Sequence, residues 1–447
     1  MHSPKHLYLI GAGGAGMLWI ADYALAHGWT LSGTDLVEST GYKRLVAAGA
    51  NLTTGTNPAD LPDNITEAVI TAAITPSAPH WEVYQELCRR GIPVVKRSEW
   101  VGALTKQYTT IAVAGTHGKT TTSALIGWIL ERAGYDPVVF TGGNVAAWGS
   151  TRIGKGEYLV LEADEYDRSF HRFFPQIAVL LNIEADHHDY YTGGLPEIMQ
   201  SFRRFLRNLP SGVHAHPRGK GILVAYGRDQ RVRKVAKGFK FRMRWYDEQH
   251  RYAGVQPPQP GRHMKLNATA AAKVAHELGV PHVIIKEAIA SFPGVGRRFE
   301  RLGTWNGAEL YDDYAHHPTE VAALLQSIQE RWPVQSKKRV AVVFQPHQLQ
   351  RTQELFQEFA TCFTQHAPHT LILAPIFFVP GREQAGSMTI AVLGEAVAAH
   401  LPSSTTLVVA NDQDVLEKAV RTAAEEHDVV FVVGAGSIRS LVDTWRA

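Results

Sequence analysis

One stretch, IAVAGTHGKTTT at residues 111–122, constrains the fold more than any other. Its first four residues, Ile111 to Ala114, are mostly apolar and read as the end of a buried strand. Gly115 and Gly118 open a tight loop, and the following SALIGWILERAG reads as a helix that stops at Gly134. A strand, a glycine loop and a helix start together cradle phosphate, because backbone N–H groups and the positive end of the helix dipole face the anion. Lys119 would sit on the β/γ-phosphates of a nucleotide, and the Thr120 hydroxyl would reach a magnesium ion. The loop departs from G-x-x-x-x-G-K-[ST], since Val113 stands at the first glycine position. Taken alone, an ordinary strand-to-helix turn with an exposed lysine is the competing reading.

A chain of 447 residues has room for about two to four domains. With 45% hydrophobic and 19% charged residues it is expected to pack and not to be disordered. A net charge of +3 is too small to argue for nucleic acid, but fits an anionic small substrate. Cys88 and Cys362 lie far apart and build neither a disulfide framework nor a zinc pattern, which agrees with a reducing cytoplasm. The N-terminus enters a strand at once, HLYLIGAGG, with no secretory apolar region, and no apolar run approaches the length of a membrane span. A cytoplasmic protein with no membrane partner is expected.

In the first segment a short strand is followed by Gly11, Gly13 and Gly16 in G-x-G-x-x-G spacing, then by a helical run, MLWIADYALAHG. A second strand, TLSGTD, ends at Asp35. This is the dinucleotide fingerprint in its context. It says that a pyrophosphate can approach the backbone, not which nucleotide carries it, so a nicotinamide oxidoreductase stays open here. AVITAAITP and IPVVKRSEW look like further strands, with Lys96 or Arg97 placed to meet a phosphate or simply solvated.

In the middle segment YLVLEADEYDRSF reads as a buried strand ending in Glu162, Asp164 and Glu165. An acid at a strand end beside a phosphate loop supplies a magnesium ligand. The strand in IAVLLNIEADHHDYY ends in Glu184, Asp186, His187, His188 and Asp189, which are either a solvated loop or part of a site. Three such ends would converge on the carboxyl edge of one sheet, and that favours a site. After Pro210 the chain turns basic, through GVHAHPRGKG and FKFRMRWYDEQHRY, where an antiparallel sheet edge is preferred to an RNA-binding surface.

Strands and helices alternate again in the third segment, a second doubly wound pattern. DDYAHHP places Asp312, Asp313, His316 and His317 at a strand end, and FQPH adds His347, with Arg351 four residues later. A buried polar network is the alternative for these histidines. GAGS near the C-terminus reads as a turn onto a helix without chemistry.

Together the blocks resemble a family. They are GAGGAGM at 11–17, GTHGKTTT at 115–122, EADEYDRSF at 162–170, NIEADHHDYY at 182–191, GRHMKLNATAA from Gly261, GVGRRFE from Gly294, DDYAHHPTEV from Asp312 and FQPHQLQRT from Phe344. In this order they are similar to the Mur ligases, the ATP-dependent ligases that build the peptidoglycan stem peptide, and above all to the alanine-adding branch. Like that branch, the chain has no lysine from Asp189 through Arg218, where several relatives carry a carbamylated one.

The resemblance implies an α/β protein of three domains. These are an N-terminal Rossmann-like UDP-sugar domain at 1–108, a central P-loop ATPase-like domain at 109–296 and a C-terminal Rossmann-like doubly wound domain for the amino acid at 297–447. It implies that Gly11, Gly13, Gly14 and Gly16 cradle the UDP pyrophosphate, with Asp35 near the uridine and Glu165 toward the substrate. Gly115, Thr116, Gly118, Lys119, Thr120 and Thr121 would hold ATP phosphates. Thr120 and Glu162 would hold one magnesium ion, and His187 would reach a second. His263 and Asn267 match the adenine-contacting pair, Arg298 the arginine on the nucleotide phosphates, and Asp313 a residue facing the nucleotide. Tyr314 and His316 would face the amino acid, and His347 and Arg351 would receive its carboxylate. Gln348 and Gln353 stand where relatives often have arginine, which loosens the choice of amino acid.

The implied reaction needs ATP and Mg2+. The lactyl carboxylate of UDP-N-acetylmuramate attacks the γ-phosphorus, and the amine of L-alanine then displaces phosphate from the acyl phosphate. Two anions meet in the first step, hence Lys119 and two metals. His316 or His347 could assist loss of the amine's proton. Domain closure would assemble the site and exclude water. The role is in peptidoglycan precursor synthesis, and through it in cell shape and division, as a monomer or homodimer. The alternatives are a sister ligase joining a recycled tripeptide to the same sugar, a nicotinamide oxidoreductase, and a non-catalytic nucleotide-binding regulator.

Overall fold

A parallel strand covered on both faces is apolar along its length, and most central strands of this chain are. The computed structural model describes residues 5–187, 190–210, 219–379 and 388–446. His188 and Asp189, and 211–218 of the basic stretch, lie outside the described residues. The chain clusters into two compact units, Met1–Gln256 with Leu266–Pro293, and Pro257–Lys265 with Gly294–Ala447.

The first unit contains two sheets. Strands β1 (His6–Ile10), β2 (Thr30–Asp35), β3 (Asn51–Thr54), β4 (Glu67–Ile70) and β5 (Val94–Lys96) pair in parallel in the order β3-β2-β1-β4-β5. The order reverses at β1, so the glycine loop after it opens at the carboxyl edge, where such sheets bind ligands.

The second sheet is built from β6 (Thr109–Ala114), β7 (Val138–Val145), β8 (Gly149–Arg152), β9 (Tyr158–Glu162), β10 (Ile177–Leu180), β11 (Ile222–Tyr226) and β12 (Arg242–Tyr246). Its order is β12-β11-β10-β6-β9-β7-β8, antiparallel only between β7 and β8. The phosphate-loop strand β6 therefore lies between β9 and β10, so its glycine loop and the acidic segments that follow β9 and β10 leave the same edge. Among the described residues the basic stretch does not form the antiparallel edge expected of it: β12 runs parallel to β11. Between them the helix Gln230–Ala236, capped by the Asp229 side chain, makes the crossover that parallel pairing requires. The two sheets share one apolar core, in which Trp19 stacks on Phe140 at 5.4 Å between ring centres.

The second unit holds β13 (Glu300–Trp305), β14 (Ala308–Asp313), β15 (Val340–Phe344), β16 (Thr370–Leu373), β17 (Thr406–Val409) and β18 (Val429–Val433). Their order is β13-β14-β18-β15-β16-β17, with only β13 antiparallel to its neighbour. Alternate residues of β15 feed separate cores on the two faces, Val342 and Phe344 on one and Ala341 and Val343 on the other. Among the described residues no helix is long and apolar enough to cross a membrane.

Candidate functional site

The loop after β6 leads into the helix Lys119–Arg132, which is buried continuously from Thr121 to Leu130. That burial fixes the helix, so its N-terminus is a rigid platform. Gly118 starts it with φ 85°, a left-handed conformation costly for any side chain. A Cβ here would also lie 2.8 Å from Asn267 Oδ1. Asn267, expected at the adenine, thus lies against the phosphate loop. His263, one turn earlier on the helix Arg262–Glu277, clusters with the second unit.

Lys119 Nζ donates to Gly115 O at 2.8 Å and Thr116 O at 3.3 Å, and pairs with Glu165 at 2.8 Å. Burial alone would depress the ammonium's pKa, but Glu165, Asp164 and Glu162 outweigh it and hold the group charged well above its usual range. Thr120 Oγ1 donates to Glu162 Oε2 at 3.1 Å, and the Gly142 N–H donates to the other carboxylate oxygen. Burial raises the pKa of both Glu162 and Glu165, and Lys119 opposes the rise in each.

The strand ends bring a second group together. Ligand atoms of Asp164, Glu165 and His187 lie within 4.8 Å of one another. His187 sits at φ 56°, a strained conformation for a residue with a side chain, and strain of this kind collects at functional sites. Its N–H donates to Asp186 Oδ1 at 2.7 Å. Tyr191, fully buried, donates to the Glu165 carbonyl at 2.5 Å and contacts Ser201 Oγ at 3.0 Å, which in turn meets His171 Nε2 at 2.9 Å. The hydroxyl and carboxylate oxygens of Thr120 and Glu162 are donors suited to magnesium, and the Asp164–Glu165–His187 group offers two oxygens and one nitrogen.

At the first sheet the glycines are shaped by their own surroundings. The Gly13 N–H donates to Asp35 Oδ2 at 2.7 Å, and Oδ1 accepts from Leu36 N at 2.7 Å. Asp35 is therefore the brace of the glycine loop. Gly14 precedes the helix Ala15–Ala26, and Gly11 takes φ 80°. A Cβ on Gly16 would lie 2.7 Å from Arg97 Nη1. Arg97 extends from there to Ser169 Oγ at 3.3 Å and to Asp167 at 3.7 Å, just beyond the acidic strand end. A side chain reaching across two loops leaves no periodic trace in sequence, which is why its place was open.

In the second unit, both oxygens of Asp313 accept backbone N–H groups, from Phe299 and from Ala315, each at 2.8 Å. Burial still pushes its carboxyl up to about 6, against the pull of Arg298 and those two N–H groups. Arg298 lies 5.3 Å from the Tyr314 ring centre and 3.7 Å from Glu320. His316 Nδ1 contacts Tyr314 O at 3.0 Å and Glu320 at 3.3 Å. The His316 and His347 rings are 6.0 Å apart, and Arg351 Nη1 is 3.5 Å from His347 Nδ1. Phe377, which no motif flagged, stacks on His347 at 5.4 Å. The ends of β14 and β15 thus gather Tyr314, His316, His347 and Arg351 into one polar and aromatic group.

Three family models match the chain: the Mur ligase family catalytic domain over residues 6–109, the Mur ligase middle domain over 113–275 and the Mur ligase glutamate ligase domain over 297–436. A UDP-N-acetylmuramate–L-alanine ligase of Geobacter sulfurreducens is 36% identical over 454 residues, spanning 97% of this chain and 95% of that protein. The chain belongs to the Mur ligase family. As a Mur ligase it shares its fold with the UDP-N-acetylmuramate-alanine ligase of Thermotoga maritima, at 22% identity, TM-score 0.77 and 98% coverage of each chain. A murein peptide ligase of Psychrobacter arcticus shares it at 22% identity and TM-score 0.67, covering 99% and 98% of the two chains.

Proposed function

We propose that this Mur ligase joins L-alanine to the lactyl carboxylate of UDP-N-acetylmuramate at the expense of ATP, which becomes ADP and phosphate. The observation that carries the reading is 36% identity along nearly the whole of both chains to a ligase of that name. The geometry agrees with it. A fixed helix N-terminus, a charged lysine and two sets of metal-suited donors share one sheet edge of the first unit. A nicotinamide oxidoreductase leaves all of these without a task.

In this reading residues 1–108 bind the UDP-sugar, 109–296 bind ATP and 297–447 receive the amino acid. Lys119 and the backbone N–H groups at the start of its helix hold the terminal phosphates and offset the charge that builds as a carboxylate approaches them. Glu162 with Thr120, and His187 with Asp164 and Glu165, would hold magnesium ions, which when bound neutralise phosphate oxygens. A carboxylate is a poor acyl donor because its oxygen leaves badly, and phosphorylation gives it a good leaving group. Arg351 and His347 would take the carboxylate of the incoming amino acid, with guanidinium geometry suited to it. His316, held by Tyr314 O and Glu320, would orient the amine. We assign the protein to the cytoplasm, where its nucleotide substrates are made.

Amino-acid-dependent phosphate release tests the proposal, with UDP-N-acetylmuramate and ATP present and L-alanine, glycine, L-serine and the murein tripeptide compared. Turnover is expected to be highest with L-alanine. Turnover with the tripeptide alone would assign the chain to the peptide-recycling branch instead.

A further inference from the structure

We propose that Asn182 is a positioning residue for the nucleotide, its side-chain amide holding the phosphate loop in binding shape before any ligand arrives. The inference rests on reading that loop as an ATP site. A carboxamide presents the same donor and acceptor as a peptide group. The Asn182 side chain uses both on one residue of the loop: His117 N–H donates to Oδ1 at 2.8 Å, and Nδ2 donates to His117 O at 3.0 Å. Main-chain bonds continue the pairing on either side. Leu181 N donates to Ala114 O at 3.0 Å, Thr116 N to Asn182 O at 3.3 Å, and Glu184 N to Thr116 Oγ1 at 2.8 Å. The chain leaving β10 thus runs beside the loop leaving β6 as if the sheet went on, although neither segment is a strand there.

Two consequences follow. The His117 N–H is engaged, so it is not among the donors the loop offers an anion. The loop's backbone is also ordered in advance, so binding a polyphosphate does not carry the entropy cost of ordering it. Without the amide, two backbone groups of His117 lose the bonds that Asn182 gives them, and the loop samples other shapes. Asn182 touches no reacting atom in this scheme and acts through the loop alone.

The test measures ADP binding by calorimetry, without and with Mg2+, on the full chain. UDP is the control ligand, and thermal melting reports on folding. Asn182→Ala is expected to raise the Kd for ADP about tenfold or more while the Kd for UDP stays within about twofold. Asn182→Asp keeps the acceptor and can donate only when its carboxyl is protonated, so its ADP affinity should recover relative to wild type as pH is lowered. An unchanged ADP affinity in Asn182→Ala, or equal weakening of ADP and UDP, overturns the proposal. If Asn182→Ala does not fold, an Asn182→Asp variant whose ADP affinity follows wild type at every pH does the same. Failure of the wild-type chain to bind ADP would instead sink the nucleotide reading of the loop, and this inference with it.

Discussion

In the proposed reading, Lys119 is the side chain on which most of the first unit's chemistry turns. It is held by two loop carbonyls and by Glu165, and three carboxylates keep it charged. Replacing it with alanine removes a buried cation at the phosphate loop and the ion pair it makes with buried Glu165. Lys119→Ala should therefore lower kcat for phosphate release by at least about a hundredfold, the scale of losing one preorganised charge. Unchanged turnover would count against the ligase reading. Lys119, Thr120, Glu162, Glu165 and His187 were readable from sequence as one group because each starts a helix, ends a strand or lies in the loop that follows one, and strand ends of a parallel sheet share an edge. Asp35, Arg97, Asn182 and Phe377 were not readable in the parts they play here. Each is set by a contact across space: with Gly13, with Gly16 and Ser169, with His117 and with His347.

At the scale of elements, apolar runs marked the central strands, and glycine or proline signals stood at the start of helices such as Ala15–Ala26, Lys119–Arg132 and Pro318–Arg331. The basic stretch misled because arginine alternation along β12 imitates an exposed antiparallel edge, whereas its direction is set by the crossover helix before it. Strand packing also depends on residues that motif reading passes over. Gly33, inside β2, faces β1 so closely that a Cβ would lie 2.4 Å from Leu9 O. Because that atom is backbone in the middle of the sheet, relief requires the strands to move apart. Gly33→Ala should cost about 1–3 kcal/mol, the range for overpacking, seen as a lower urea midpoint with the slope unchanged. A midpoint equal to wild type would show that β1 and β2 can separate freely.

For the whole molecule, acid is the revealing stress. His171 lies under the acidic loop, bonded to Ser201, and burial holds its pKa down to about 4. A folded-state pKa below the ordinary histidine value of about 6.5 means that the fold favours the neutral ring. Its contribution is fully present above that value and is lost as pH falls through about 4. Because the ring is only half-buried and partly screened by solvent, the loss is on the order of 2–3 kcal/mol, below the full value of the shift. Urea melts across this window should show stability falling on acidification, and His171→Gln should flatten that fall. An equally steep acid limb in the variant would place the effect elsewhere. In the second unit Asp313 acts in the opposite sense: its carboxyl, raised to about 6, gives a contribution that is lost as pH climbs through that value. The ion pair between Lys119 and Glu165 carries one more implication. A polyanion arriving at the loop takes its ammonium from a rival, not from water. The carboxylate set loose must then find another positive charge close by, so in the proposed reading admission of the nucleotide is an exchange of counter-ions.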